Sequence, residues 1–524
     1  MRGTTPFSPA HSARSLDSMA NSYWQRQGSK KRPPFMIGAV VLLGWFLWNV
    51  LKGVHHEYEG WVIFYVVALL SWQPASAWLT SGMRWLPAAE LFFLLHLPYY
   101  VAPFVSGNKD RVEVGVAMQT EVGLVIALFL LGCRLCYRAP RGVATGRSGS
   151  SAAGILGRQI GAKRGRQFAW EALIAWFLFT ITIQQGWFPD FGSFFEIVRM
   201  LFASGGAIGT SILFFEMGGG RLDRTSKVCL IVVTVLTLLF ALASGFLIDG
   251  AVQISIIILA FFIGRKRLPI LAILVSAGVM AFLQAGKGDM RAEFWDKGNN
   301  YSSIPHNPVN IYQVWIGASW NRLATQDAAE EGAPSLLERG NLLRYLNLVV
   351  TQTPGLLPYM EGITYKQTAT IFVPRFLWLE RPRASLPDET LAIHYGVQTN
   401  KSVNSTAIGL GRICEAWANF GWAGVFTVGA LMGLILQIPT RLSAGFSPRH
   451  FRFLLAVPFI MFAMNLEASL GYAIHALSHA LVFSFVCLWV VSTPATRRRP
   501  IQQTRRARSS ASSTAQREVS SPPQ

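Results

Sequence analysis

Stretches of about 17 to 22 mostly apolar residues recur from end to end of this chain, and each is long enough to cross about 30 Å of hydrocarbon as a helix rising 1.5 Å per residue. In lipid the backbone must satisfy its own hydrogen bonds, so segments of this kind have few alternatives to the helix. The expected spans are 35–51, 61–80, 87–105, 114–133, 168–187, 203–218, 228–248, 252–264, 269–285, 416–436, 453–468 and 472–491. Composition agrees: 51% of the 524 residues are hydrophobic and only 14% charged, which no soluble globular chain of this size matches. The expected fold is therefore all-α, a polytopic helical integral membrane protein with about twelve spans. Pro87, Pro98 and Pro103 make the third span irregular, and the sixth and eighth are short.

The formal net charge is +20, and its placement decides its meaning. Residues 1–33 hold six Lys/Arg and one Asp, residues 493–524 seven Arg and one Glu, and the connection Arg134 to Arg166 eight Lys/Arg and no acid. Further basic clusters are Arg221, Arg224 and Lys227; Arg265, Lys266 and Arg267; and Arg441, Arg449 and Arg452. Twelve spans put all of these on the side of both termini, as the positive-inside bias requires. The charge thus reads as topology, with cytoplasmic termini, and not as a nucleic-acid partner. The ends, 1–33 and 493–524, are polar and expected to be disordered. No cleavable signal is expected, because the first apolar run follows more than thirty polar residues and is long enough to remain an anchor.

Several chemistries lack their motifs. There is no GxxxxGK[ST], no strand-borne GxGxxG, no HExxH, no GxSxG and no Asp-rich metal box. Cys133 and Cys136 form a lone CxxC without a second pair or a His, and read as spare apolar thiols. No cofactor and no metal are expected.

One long polar segment remains, 286–408, with eleven basic and eleven acidic residues, and topology places it outside the membrane. Within it 334–350 has Leu and Val at helical spacing, with Arg339 and Arg344 on the polar side, as an amphipathic helix lying on the membrane or the bundle would. At Pro374 to Ser385, PRFLWLERPRAS, Arg375, Arg381 and Arg383 interleave with Phe376 and Trp378, while Pro382 and Pro387 stop a helix. Planar, permanently charged guanidinium groups suit a diphosphate. At the re-entry, GLGRICEAWANFGWAGV, helical spacing puts Arg412, Glu415 and Asn419 on one face at the outer mouth of a span. Gly429 and Gly433 behind it form a GxxxG that lets a neighbouring helix approach. Ionisable residues in a membrane are costly, and Asp249, Glu415, Glu467, His475 and Glu121 share the outer half under this topology. His394 and Asp388, close in sequence, read as solvated loop residues.

The order of a long external segment, PRFLWLERPRAS and then CEAWANFGWAG, with LPYMEGITY (Leu357 to Tyr365) upstream, resembles the O-antigen and exopolysaccharide repeat-unit polymerases, the Wzy-type membrane proteins. The likeness covers about 357–425. Cys414 stands where a Gly often precedes the Glu, and Arg381 where a Lys is common. What it implies is a membrane glycosyltransferase of the bacterial inner membrane that polymerises polyprenyl-diphosphate-linked oligosaccharide repeat units, with a chain-length regulator as a partner. Arg375, Arg381 and Arg383, supported by Lys366 and Arg291, would then hold the diphosphate. Glu415 first, and His475 second, would take the acceptor proton; Trp378 and Trp417 would stack on sugars, and Arg412 and Asn419 would complete the site. A lipid-linked-glycan flippase or other transporter, and an acyl transferase, are the competing classes; the chain shows no internal repeat of the kind transporters carry.

Overall fold

The computed structural model describes residues 34–52, 58–82, 84–106, 116–140, 155–187, 195–294, 307–324, 341–371, 373, 378, 380–400, 402–404 and 408–493. The two tails beyond 34 and 493 and the proposed start of the amphipathic helix at 334–340 lie outside these. The described chain is helical, its β-structure limited to isolated bridges from Gln159 to His450 and Thr493. In order the helices are α1 (Pro34–Leu51), α2 (Tyr58–Thr80), α3 (Ala88–His96, continued through a π-helical turn, Leu97–Val101, into Ala102–Ser106), α4 (Val116–Cys136), α5 (Ala162–Gln184), α6 (Phe195–Gly218), α7 (Arg224–Leu242), α8 (Leu247–Arg265) and α9 (Ile270–Phe294). After these come α10 (Pro308–Ala324), α11 (Leu342–Gln352), α12 (Ile363–Ile371), α13 (Leu386–His394), α14 (Arg412–Ser443), α15 (Phe451–Leu455), α16 (Pro458–Met464) and α17 (Leu470–Val491).

Among the described residues ten helices are long and apolar enough to cross a membrane: α1 to α4, α6 to α9, α14 and α17. The protein is a multi-pass helical membrane protein. The short sixth and eighth spans expected from sequence are longer than anticipated, as α6 and α8, and the proline-rich third absorbs Pro98 in its π-helical turn. Of the other two expected spans, α5 is a 23-residue helix with Lys163, Arg164 and Arg166 in its first turns. It runs antiparallel to α6: Arg166 meets Glu216 at one end, and Phe179 stacks on Phe202 at 4.6 Å near the other, so α5 covers the same thickness. The span expected at 453–468 is not one helix. It divides into α15 and α16 around Ala456 and Val457 and stops at Asn465.

The basic connectors share one end of the bundle. Gln159 N–H donates to the Thr493 carbonyl (3.2 Å), Ile160 N–H to Arg449 (3.2 Å) and Phe451 N–H to Arg158 (3.3 Å). The fully buried Glu216 receives Arg166 at 2.8 Å and Arg449 at 2.6 Å, bridging α5, α6 and the α14–α15 connection.

Small residues set the helix contacts, as expected where lipid removes the hydrophobic drive between helices. A Cβ at Gly429 or Gly433 would collide with the Phe129 or Cys133 carbonyl of α4, so the GxxxG does bring α14 against that helix. Gly218 and Gly264 do the same at the α6–α8 crossing, against the Phe261 and Phe215 carbonyls.

The unexpected element is α14. Gly421 has φ 57° and ψ −140°, a conformation open to glycine and costly for other residues, and there the helix breaks. Arg412 Nη1 lies 3.9 Å from Met432 Sδ, whereas twenty residues of straight helix would separate them by about 30 Å. The first limb, Arg412 to Phe420, therefore folds back beside the second, Trp422 to Ser443. Arg412 and Glu415 do not line an open mouth: they are 2% and 0% exposed, enclosed by the bundle. Nor does the described part of 341–408 stand apart from the bundle. Leu342, Leu346, Val349, Val350, Leu391 and Tyr395 share one apolar core with α2, α3, α4 and α14.

Candidate functional site at the tip of a helical hairpin

α16 and α17 form a hairpin whose tip, 465–469, meets the inward limb of α14. A helix leaves carbonyls unpaired at its C-terminus and N–H groups at its N-terminus, with partial charges to match. Both ends are answered here. Arg412 Nη2 donates to the Phe462 and Asn465 carbonyls (3.1 and 2.8 Å) at the end of α16, its guanidinium stacked 4.5 Å over Phe462. Glu415 Oε2 accepts the Leu470 N–H (2.7 Å), while Asp388 of α13 accepts Ser469 N–H (2.7 Å) and Ser469 Oγ–H (2.9 Å) at the start of α17. Asn419 Nδ2 donates to Thr364 Oγ1 of α12 (2.9 Å) and to the Glu415 carbonyl (2.7 Å). Arg412, Glu415 and Asn419 thus do share a face, and that face holds a hairpin inside the bundle. Burial, reinforced by the Glu415 carboxylate, pushes the Asp388 carboxyl up to about 7, the Ser469 hydrogen bonds pulling the other way. The sequence reading of Asp388 as a solvated loop residue is corrected: it is 7% exposed and bonded to Ser469, while His394 bonds the Pro358 carbonyl.

A second group lies along α12, α13 and α17. Arg381 Nη1 donates to the Val373 carbonyl (3.0 Å) and to the Ile371 carbonyl, closing the C-terminus of α12. Its charge bears on His475 of α17, whose ring lies 4.2 Å from that of His479. Gln367 Nε2 to Thr390 Oγ1 (3.1 Å) ties α12 to α13. Lys366 and Arg383 are exposed, as is Trp378 at 40%. Trp417 is buried, donating Nε1–H to the Thr353 carbonyl (3.1 Å), so it offers no face to a sugar. Arg375 lies outside the described residues. Arg291 is not brought here: it donates to the Gly245 carbonyl (3.0 Å) and covers the Phe246 ring, which fastens it to the α7–α8 turn.

Sequence reasoning did not assemble a third group, on the outward side of the tip. Glu467 is exposed, receives a hydrogen bond from Tyr99 in the π-helical turn of α3, and faces the Lys287 charge from α9 and Tyr345 of α11. The Gly409 backbone passes so close that a Cβ would strike the Glu467 carbonyl. Only the cost of a membrane carboxylate hinted at Glu467; nothing in the spacing ties together residues 99, 287, 345 and 467. Among the described residues no cluster of His, Cys, Asp and Glu has the makings of a metal site. Comparison with family models, with curated proteins and with solved structures finds no match to this chain.

Proposed function

We propose that the protein is a metal-independent membrane glycosyltransferase that joins polyprenyl-diphosphate-linked oligosaccharide repeat units at the outer leaflet of a bacterial cell membrane, with both termini cytoplasmic. The observation that carries this reading is Arg381, held by two carbonyls at the end of α12 with its charge bearing on His475 of α17; Lys366, Arg383 and the exposed Trp378 lie on the same stretch of chain. A departing lipid diphosphate gains charge in the transition state, and fixed donors aimed at it lower the barrier. Trp378 offers an apolar face for a sugar. His475, half-buried next to Arg381, belongs to the leaving-group side, where a ring N–H of the imidazole donates to the diphosphate. Glu415, spent on the Leu470 N–H, holds α17 in place. The repeat-unit-polymerase resemblance of 357–425 points the same way, and a chain-length regulator would be the partner.

The test is to give the purified protein a lipid-linked repeat unit and run the products on a gel. A polymer ladder is expected, and Arg381→Ala should cut its yield about tenfold to a hundredfold, the weight of one charge-assisted hydrogen bond to a phosphate, with folding intact.

A second reading rests on a different observation. The break at Gly421 makes α14 a discontinuous helix of the kind from which transporters build binding sites. In that case the lipid-linked glycan would cross the membrane and no new glycosidic bond would form.

A further inference from the structure

Three carboxylates surround the hairpin tip, and they differ in what they can reach. Asp388 gives one oxygen to Ser469 N–H and the other to Ser469 Oγ–H. Glu415 is completely buried behind its bond to Leu470. Glu467 alone of the three is exposed. Its surroundings come from four separate elements: Tyr99 from α3, Lys287 from α9, Tyr345 from α11 and the Gly409 backbone leading into α14. The neighbouring charges on α9 and α10 are otherwise occupied. Asp289 is paired with Arg322 of α10 by two bonds, at 2.6 and 2.5 Å, and Arg291 is turned to Gly245. Desolvation by the protein packed around it holds the Glu467 carboxyl above the usual carboxylate range, with the Lys287 charge and the Tyr99 hydrogen bond pulling the other way, which suits a group that has to take up a proton.

The reaction proposed above joins two lipid-linked molecules, so it needs an acceptor site as well as a diphosphate site. A general base has to lie within hydrogen-bond reach of the proton it removes, so accessibility comes first. We infer that Glu467 is the base of that reaction and that the groups around it, Tyr99, Lys287 and Tyr345, receive the acceptor sugar. The inference rests on the glycosyl-transfer reading. The acceptor hydroxyl gives its proton to a Glu467 oxygen as its own oxygen bonds to the donor's anomeric carbon. The bond from that carbon to the diphosphate oxygen breaks, and the lipid diphosphate leaves with the electron pair. Glu467 then returns its proton to water. Tyr99, donating to the carboxylate, aims it, and Tyr345 supplies a ring beside the acceptor.

The experiment compares wild type and Glu467→Gln, purified in the same detergent, for bond formation with a lipid-linked repeat unit, for KM and for thermal midpoint. Glu467→Gln keeps the size and one acceptor oxygen but takes no proton. The expected result is a hundredfold or greater loss in kcat, in the range general-base catalysis supplies, with KM within threefold and the midpoint unchanged. Glu467→Asp should recover part of the rate. If wild type polymerises and Glu467→Gln does so within threefold, the inference falls while the glycosyl-transfer reading stands. A loss of rate accompanied by a lowered midpoint, with Glu467→Asp no better, would make Glu467 structural and also overturn it. If wild type forms no bond at all, both readings fall.

Discussion

Asp388 shows how far a single residue's role departs from its look in the sequence. Between a Pro and a Glu in a polar stretch it reads as solvated, yet α13 turns it inward onto Ser469, where it answers the N-terminal N–H groups of α17. Its raised carboxyl has a consequence for stability. A group protonated more readily in the folded than in the unfolded chain stabilises the fold at low pH, and that contribution is lost as pH rises through the folded value. For Asp388 the window runs from its ordinary value of 3.8 up to about 7. The thermal midpoint of the wild type should fall across this window, and Asp388→Asn, which cannot titrate, should flatten that fall. Equal slopes in the two proteins would show that Asp388 is ordinary in its titration.

At the level of the helices, most was legible. Apolar runs of span length became helices because lipid leaves the backbone little else, and the Gly429–Gly433 pair announced a close contact that α4 provides. What was hidden was long-range. The spacing of Arg412, Glu415 and Asn419 gave their common face but not its direction, because Gly421 looks like any other helix-packing glycine until its φ of 57° is known. The same limit applies to 453–468, where apolar content gave a span and the turn at Ala456 and Val457 made two short helices. The α4–α14 seam offers a direct check. Gly429→Leu places a side chain against the Phe129 carbonyl, where neither helix can yield, and should cost a few kcal/mol and the yield of folded protein. A variant as stable as the wild type would mean that the two helices are not in backbone contact.

Over the whole molecule, charge and chemistry separate to different ends. Arg158, Arg166, Arg221 and Arg449 collect around Glu216 and the Gln159 bridges, as the positive-inside pattern of the sequence leads one to expect. The candidate site draws instead on residues 99, 287, 345, 366, 381, 388, 415, 467 and 475, a set that no window of sequence holds together, since folding back of α14 and insertion of α13 create it. Single cysteines in a background lacking the five native ones should settle orientation. Arg383→Cys should react with a membrane-impermeant maleimide in intact cells and Arg224→Cys only after permeabilisation; the reverse pattern would put Arg383 on the wrong face for outer-leaflet chemistry.

Glycosyl transfer itself is decided most directly by counting products. Purified protein in proteoliposomes containing a radiolabelled polyprenyl-diphosphate-linked repeat unit should release one free polyprenyl diphosphate for each new glycosidic bond, as a polymer ladder grows. Movement of the labelled lipid between leaflets, with no polyprenyl diphosphate released and no ladder, would contradict the proposal and leave the broken helices of α14 and the α16–α17 hairpin to be understood as a passage.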